Sequence, residues 1–101
     1  MRFVGRTFLS ITVTDSAITG NHGAGITGSR TFLTVAGSTV SENDGFGLSA
    51  TKLTLTDSTV SGNTASRGGG IFLEPTGTAV LTGTNTFFNN VPNDCVGVSG
   101  C

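Results

Sequence analysis

The chain has 101 residues, a formal net charge of −1 and only 11% charged side chains. That length bounds it to one domain, and the charge balance argues against both a basic nucleic-acid surface and an acidic disordered tail. No apolar run approaches the length of a membrane span, and a hydrophobic content of 36% supports a narrow core rather than a broad one.

The first segment, Met1-Arg2-Phe3-Val4-Gly5-Arg6, lacks the long apolar centre of a secretory signal. Residues 1–8, with Phe3, Val4 and Phe8, are read as a partial rung or an N-terminal cap. Ile11-Thr12-Val13-Thr14 then alternates apolar and polar with period two, which predicts a strand with Ile11 and Val13 inward. A corner falls at Asp15-Ser16, a second strand at 17–19 carries Ile18 inward, and Asn21 makes the next corner. A third strand surrounds Ile26, behind Gly25. The same series returns as 33–36, Gly37-Ser38, 39–41 with Val40, Asn43, and Leu48 behind Gly47. It returns again as 53–56, Asp57-Ser58, 59–61 with Val60, Asn63, and Ile71 behind Gly70. A looser fourth copy runs from Val80 to Asn90, with strands at 80–82 and 86–88 and Phe87 in the aliphatic slot.

The asparagines are spaced 22 and then 20 residues apart. Threonine (18 residues) and glycine (16) dominate, which favours short strands and sharp corners over helices. A unit of this length, built of short strands with one apolar face each, predicts one rung of a parallel β-solenoid. Rungs are expected at about 9–30, 31–52, 53–78 and 79–101, stacked roughly 4.8 Å apart. Asn21, Asn43, Asn63 and Asn90 are structural: they are expected to bond backbone groups at a tight corner and each other between rungs. The glycine beside the third strand is expected to let the walls approach closely.

The run from Leu53 to Ala65, followed by Gly68-Gly69-Gly70-Ile71, resembles the repeat of right-handed parallel β-helix proteins in the pectate-lyase-like superfamily. It looks most like the polymorphic outer membrane protein type found in large bacterial surface and secreted proteins. The segment Asn85 to Cys95 resembles the last coil of such arrays, and the resemblance covers about residues 9–97. It implies an all-β, right-handed coil of about four rungs and an extracellular or bacterial cell-surface location. With no signal segment in this chain, the expectation is a piece of a longer protein whose neighbouring rungs continue the stack. The scaffold serves adhesins, autotransporter passengers and polysaccharide lyases alike, so fold alone does not choose among them.

A lyase of this type needs a calcium-bound carboxylate cluster to acidify the sugar C5 proton and a basic side chain to remove it. Arg67, or Arg30 with Lys52, are the candidates here. Arg30 and Lys52 are 22 residues apart and are expected to stack on one face. Glu42 and Asp44 flank Asn43 and are weak calcium candidates, too few for such a cluster. Asp15 and Asp57 share a corner column, with Gly37 between them, and are expected to bond nearby backbone N–H groups. His22 has no catalytic partner near it in sequence. Gly23-Ala24-Gly25-Ile26-Thr27-Gly28 matches a dinucleotide-binding pattern, but another β rung comes next where a helix is required. Outward threonines form partial columns, Thr12-Thr34-Thr54 and Thr14-Ala36-Thr56, broken at Ala36 and Gly83; a flat array for ice binding needs them unbroken. Cys95 and Cys101 can pair in an oxidising compartment and staple the last turn, or each can belong with a partner outside this chain.

The expected function is therefore structural or adhesive, with no enzymatic activity and no cofactor. The side wall is expected to present contacts to a glycan or protein, with no nucleic acid and no membrane span. The alternative is a calcium-dependent polysaccharide lyase.

Overall fold

The computed structural model describes residues 2–3, 8–66, 68–98 and 101. Among these the regular elements are β1 (Arg2–Phe3), β2 (Leu9–Thr14), β3 (Ala17–Thr19), β4 (Ile26–Gly28), β5 (Thr31–Ala36), β6 (Thr39–Ser41), β7 (Leu48–Thr56), β8 (Thr59–Ser61), β9 (Ile71–Thr82), β10 (Thr86–Phe88) and β11 (Cys95–Val96). Every pairing between them is parallel and joins a strand to its equivalent one turn along. One sheet runs β1-β4-β7-β5-β2, with β9 on β7 and β11 on β9; the other runs β10-β8-β6-β3. The chain is thus an all-strand parallel β-solenoid of about four turns. β1 adds a strand ahead of the first full turn, with Arg2 beside Thr27 and Phe3 beside Gly28.

The sequence pattern predicts three separate strands in each turn. In the structure β7 and β9 run on through the third corner, closing one turn and opening the next. The register shows this: Leu48 and Ser49 pair with Ile26 and Thr27, while Lys52 to Thr56 pair with Phe32 to Ala36.

Strict register stacks like on like. Leu33 lies between Ile11 and Leu53, Val35 between Val13 and Leu55, Val40 between Ile18 and Val60, and Leu48 between Ile26 and Ile71. These columns, with Ala50 and Leu73, form the core, and its central members are at most 3% exposed. Ile11, Val13 and Ile18 on one side and Ala79, Leu81 and Phe87 on the other are only partly buried, because among the described residues each has a neighbouring turn on one side alone.

The fourth turn departs from the expected frame. Ala79 and Leu81 pair with Leu53 and Leu55, so Val80 points outward and is 48% exposed. An extra residue at the next corner, Gly83-Thr84, restores Phe87 to the column of Val60. The threonine columns are corrected accordingly: Thr82, not Gly83, continues the line of Thr56, and Val80 interrupts the line of Thr54.

Two hydrogen-bonded ladders bind the turns. The backbone N–H and Nδ2 of Asn21 both donate to Asn43 Oδ1, at 3.1 and 2.9 Å. Asn43 donates in the same way to Asn63 Oδ1 (3.1 and 2.8 Å), and Asn63 to Asn90 Oδ1 (3.1 and 3.0 Å). The second Nδ2 hydrogens of Asn43, Asn63 and Asn90 go to the carbonyls of Ile18, Val40 and Val60. The serines make a second ladder, with Ser16 N donating to Ser38 Oγ and Ser38 N to Ser58 Oγ, each at 3.1 Å. Asn85 ends it by accepting from Ser58 N at 3.0 Å.

Gly25, Gly47 and Gly70 line the inside of the asparagine corner. A Cβ on Gly47 would stand 2.7 Å from Gly70 O, 2.8 Å from Asn63 Nδ2 and 3.0 Å from Val60 Cγ1. Asp94 is the fourth member of this column, since Ile71 N donates to Asp94 O as Leu48 N does to Gly70 O. Its side chain has room because it occupies the place where another ladder asparagine would lie. Asp94 Oδ1 accepts from Asn90 N and Nδ2, at 3.4 and 3.0 Å, so the aligned amides end on a carboxylate. Cys95 comes next in β11 and is disulfide-bonded to Cys101, their Cα atoms 6.1 Å apart.

This packing sets two expected outcomes. Asn43→Ala removes an acceptor of two bonds and a donor of two in a site 1% exposed, and should cost at least about 1–3 kcal/mol. Asn21→Ala, at an exposed position, should cost well under half as much, read from urea midpoints; equal midpoints would discount the ladder. Gly47→Ala should cost about 1–3 kcal/mol by overpacking. Gly23→Ala, with nothing within 4 Å of its Cβ position, should leave thermal unfolding nearly unchanged.

Candidate binding wall

The outer faces of β2, β5, the end of β7 and the end of β9 form one regular four-strand surface. Three outward columns cross it: Ser10-Phe32-Lys52-Thr78, Thr12-Thr34-Thr54-Val80 and Thr14-Ala36-Thr56-Thr82. β-branched threonine suits a solvated sheet face, and in-register parallel pairing keeps that face even. Thr56 and Thr82 hydroxyls bond each other at 2.6 Å. Phe8, just ahead of β2, is 56% exposed, and its ring lies 4.8 Å from that of Phe32, tilted by 33°. Phe32 is itself 40% exposed, although aromatic carbon in contact with water is unfavourable. Lys52 Nζ sits 5.8 Å from the centroid of the Phe32 ring, within cation–π range of about 6 Å. Among the described residues Lys52 has no carboxylate partner. Phe32, Leu33, Thr34, Lys52 and Thr54 enclose a shallow depression of about 180 Å³. Ring faces, a cation and a row of hydroxyls thus meet on one flat surface.

The structure disperses the predicted site residues. Arg67, the candidate base, lies outside the described residues. Arg30 does not stack on Lys52: its backbone N–H donates to Thr51 Oγ1, and the residue in register with Lys52 is Phe32, 20 positions earlier. The 22-residue spacing holds between the first and second turns, and shortens to 20 between the second and third. Glu42 and Asp44 reach toward different turns. The Glu42 carboxylate covers the α-carbon of Gly62, whereas Asp44 Oδ2 lies 3.9 Å from Nδ1 of His22. Among the described residues no group of three or more His, Cys, Asp or Glu is placed to hold a metal ion. Asp57 Oδ1 accepts from Thr84 N at 2.8 Å, and the Asp15 carboxylate lies against Gly37. Gly25 of the dinucleotide-like run belongs to the glycine column, and Ile26–Gly28 are strand.

Sequence reasoning misses the Phe8–Phe32–Lys52 cluster. The signal is present in the spacing, since Phe32 and Lys52 each precede the first inward leucine of their rung. Treating outward positions as a threonine array alone obscures it. The described residues include no helix long and apolar enough to cross a membrane.

Searches among curated proteins and among solved structures find no significant match. The family model described as the right-handed β-helix region matches residues 5–100. With that match over nearly the whole chain and the parallel solenoid described above, the protein belongs to the right-handed β-helix family.

Proposed function

We propose that this chain is a non-catalytic module of a bacterial surface or secreted protein that holds a ligand against its side wall. The ligand class is a glycan or protein, and an acidic glycan suits the wall best. The observation that carries this reading is the exposed Phe8–Phe32 pair with Lys52 over it, set among outward threonines. Aromatic faces pack against the C–H faces of sugar rings, hydroxyls exchange hydrogen bonds with sugar hydroxyls, and Lys52 offers an uncompensated positive charge to a uronate. The acidic side chains support the non-catalytic half of the reading. Asp57 is engaged with a corner amide and Asp94 with the ladder, while the Glu42 carboxylate lies over Gly62 of the next turn.

Polygalacturonate and uncharged dextran serve as probes in titration calorimetry. Polygalacturonate should bind more tightly, and Phe32→Ala should weaken it about tenfold. Lys52→Ala should weaken it about fivefold, the weight of an exposed charge contact, with the effect fading in high salt. Binding that ignores both substitutions would remove the wall from consideration.

Incubation of the protein with polygalacturonate and calcium should release no unsaturated uronide absorbing in the ultraviolet. Calcium-dependent release, lost on Arg67→Ala, would overturn the non-catalytic reading and favour a lyase.

A further inference from the structure

A second concave surface lies away from the wall, over the third strands. In the first, second and fourth turns the ladder asparagine lies five residues ahead of the first paired residue of the third strand: Asn21 to Ile26, Asn43 to Leu48, Asn90 to Cys95. In the third turn the interval from Asn63 to Ile71 is eight. Beside this interval lies a groove of about 380 Å³ lined by Ala24, Thr27, Asp44, Phe46, Thr64 and Ser66, among others. Its walls are anchored to the stack. Thr64 N donates to Asn43 O at 3.0 Å, Ala65 N to Val91 O at 2.9 Å, and Asp44 N to Asn21 O at 2.9 Å. Phe46 is held by stacking on Phe72, with ring centroids 5.0 Å apart and planes 17° from parallel.

We propose that this groove is a binding site for a neutral saccharide of one or two rings, separate from the wall. Ligand pockets run from about 300 to 1,000 Å³, and this one is at the small end. Phe46 offers an aromatic surface that its partner Phe72 keeps in place. Asp44, whose side chain is 76% exposed, presents a carboxylate that can accept from sugar hydroxyls. His22 beside it adds a ring nitrogen 3.9 Å from Asp44 Oδ2. The hydroxyl-bearing residues Thr27, Thr64 and Ser66 lie around these two. A carboxylate at the rim disfavours a uronate, which separates this site from the wall in the charge of sugar it accepts. The groove depends on the corner loops and the wall on the strand face, so the two sites stand or fall independently.

Backbone amide NMR of the full chain, titrated with methyl glucoside, methyl galactoside and methyl mannoside, tests the site, with glucuronate and glucosamine as charged comparators. At least one neutral glycoside should give saturable shifts at residues 44–46 and 64–66, with residues 32 and 52 unmoved. Asp44→Asn should weaken that binding at least about tenfold, the loss of a hydrogen bond to a charged group. Phe46→Ala should abolish it, while the amide shifts of Asn43 and Asn63 report that the fold is intact. Three results would each overturn the site: no saturable shifts with any neutral glycoside, binding that survives both substitutions, or tighter binding of either charged comparator. If Phe46→Ala alters the Asn43 and Asn63 shifts, Asp44→Asn alone decides, and unchanged affinity in that variant rejects the proposal.

Discussion

A buried side-chain carbonyl that must accept two hydrogens from the turn before it leaves a parallel stack little freedom. Asn43, Asn63 and Asn90 each meet that requirement with one oxygen, and each returns a hydrogen to a carbonyl of the preceding turn. Sliding one turn against the next by a single residue would strand all of these groups, at about 1–3 kcal/mol for each one left buried and unpaired. The same slip would turn the inward aliphatics outward. Polar ladder and apolar columns therefore specify one register between them, and the glycines at 25, 47 and 70 exist because the ladder runs so close to the strand beside it.

Inward positions are legible in the sequence because each turn asks the same thing of them: a leucine, valine or isoleucine that stacks on its equivalent, and an asparagine that bonds its equivalent. The spacing of Asn21, Asn43 and Asn63 carries that information directly. Val80 misleads because the third and fourth turns hold extra residues in several places, so counting back from Phe87 lands one position out of frame. Asp94 reads as part of a closing turn; its membership of the glycine column appears only when Ile71 N is seen to donate to its carbonyl. The aromatic clusters are the least legible. Outward side chains need no like partner in the next turn, so Phe32 and Lys52, though they share a position in the repeat, differ in type, and Phe46 with Phe72 does not follow the repeat at all.

The departures from regularity are concentrated rather than scattered. After Asn63 the loop is three residues longer than its equivalents. Residues 74–77 then bulge opposite the single residue Thr51, and one more is added at Gly83-Thr84. Core columns pass through all of this with only a change of partner size, Leu53 to Ala79 and Val60 to Phe87. The solenoid thus separates two tasks: the interior maintains the stack, while insertions at corners shape the surface without disturbing it.

The corners carry a rhythm different from that of the core. Backbone with positive φ recurs at Asp15, Gly37, Asp57 and Gly83, and again at Gly20, Glu42, Gly62 and Asn89. Carboxylates of one turn lie over the bare α-carbon of the next: Asp15 over Gly37, Asp57 over Gly83, Glu42 over Gly62. A side chain on the glycine would collide with the acid above it, and an acid there would bring like charges about one strand spacing apart. The interior therefore repeats every turn, whereas acid and glycine alternate at both corners through the first three turns. Copying any one of the first three rungs would set acid upon acid at one corner or the other: Asp15 on itself, Glu42 on itself or Asp57 on itself. Within those three rungs the smallest segment that can be duplicated without mending its corners is a pair, which makes the two-rung block, rather than the single coil, the natural unit of growth there.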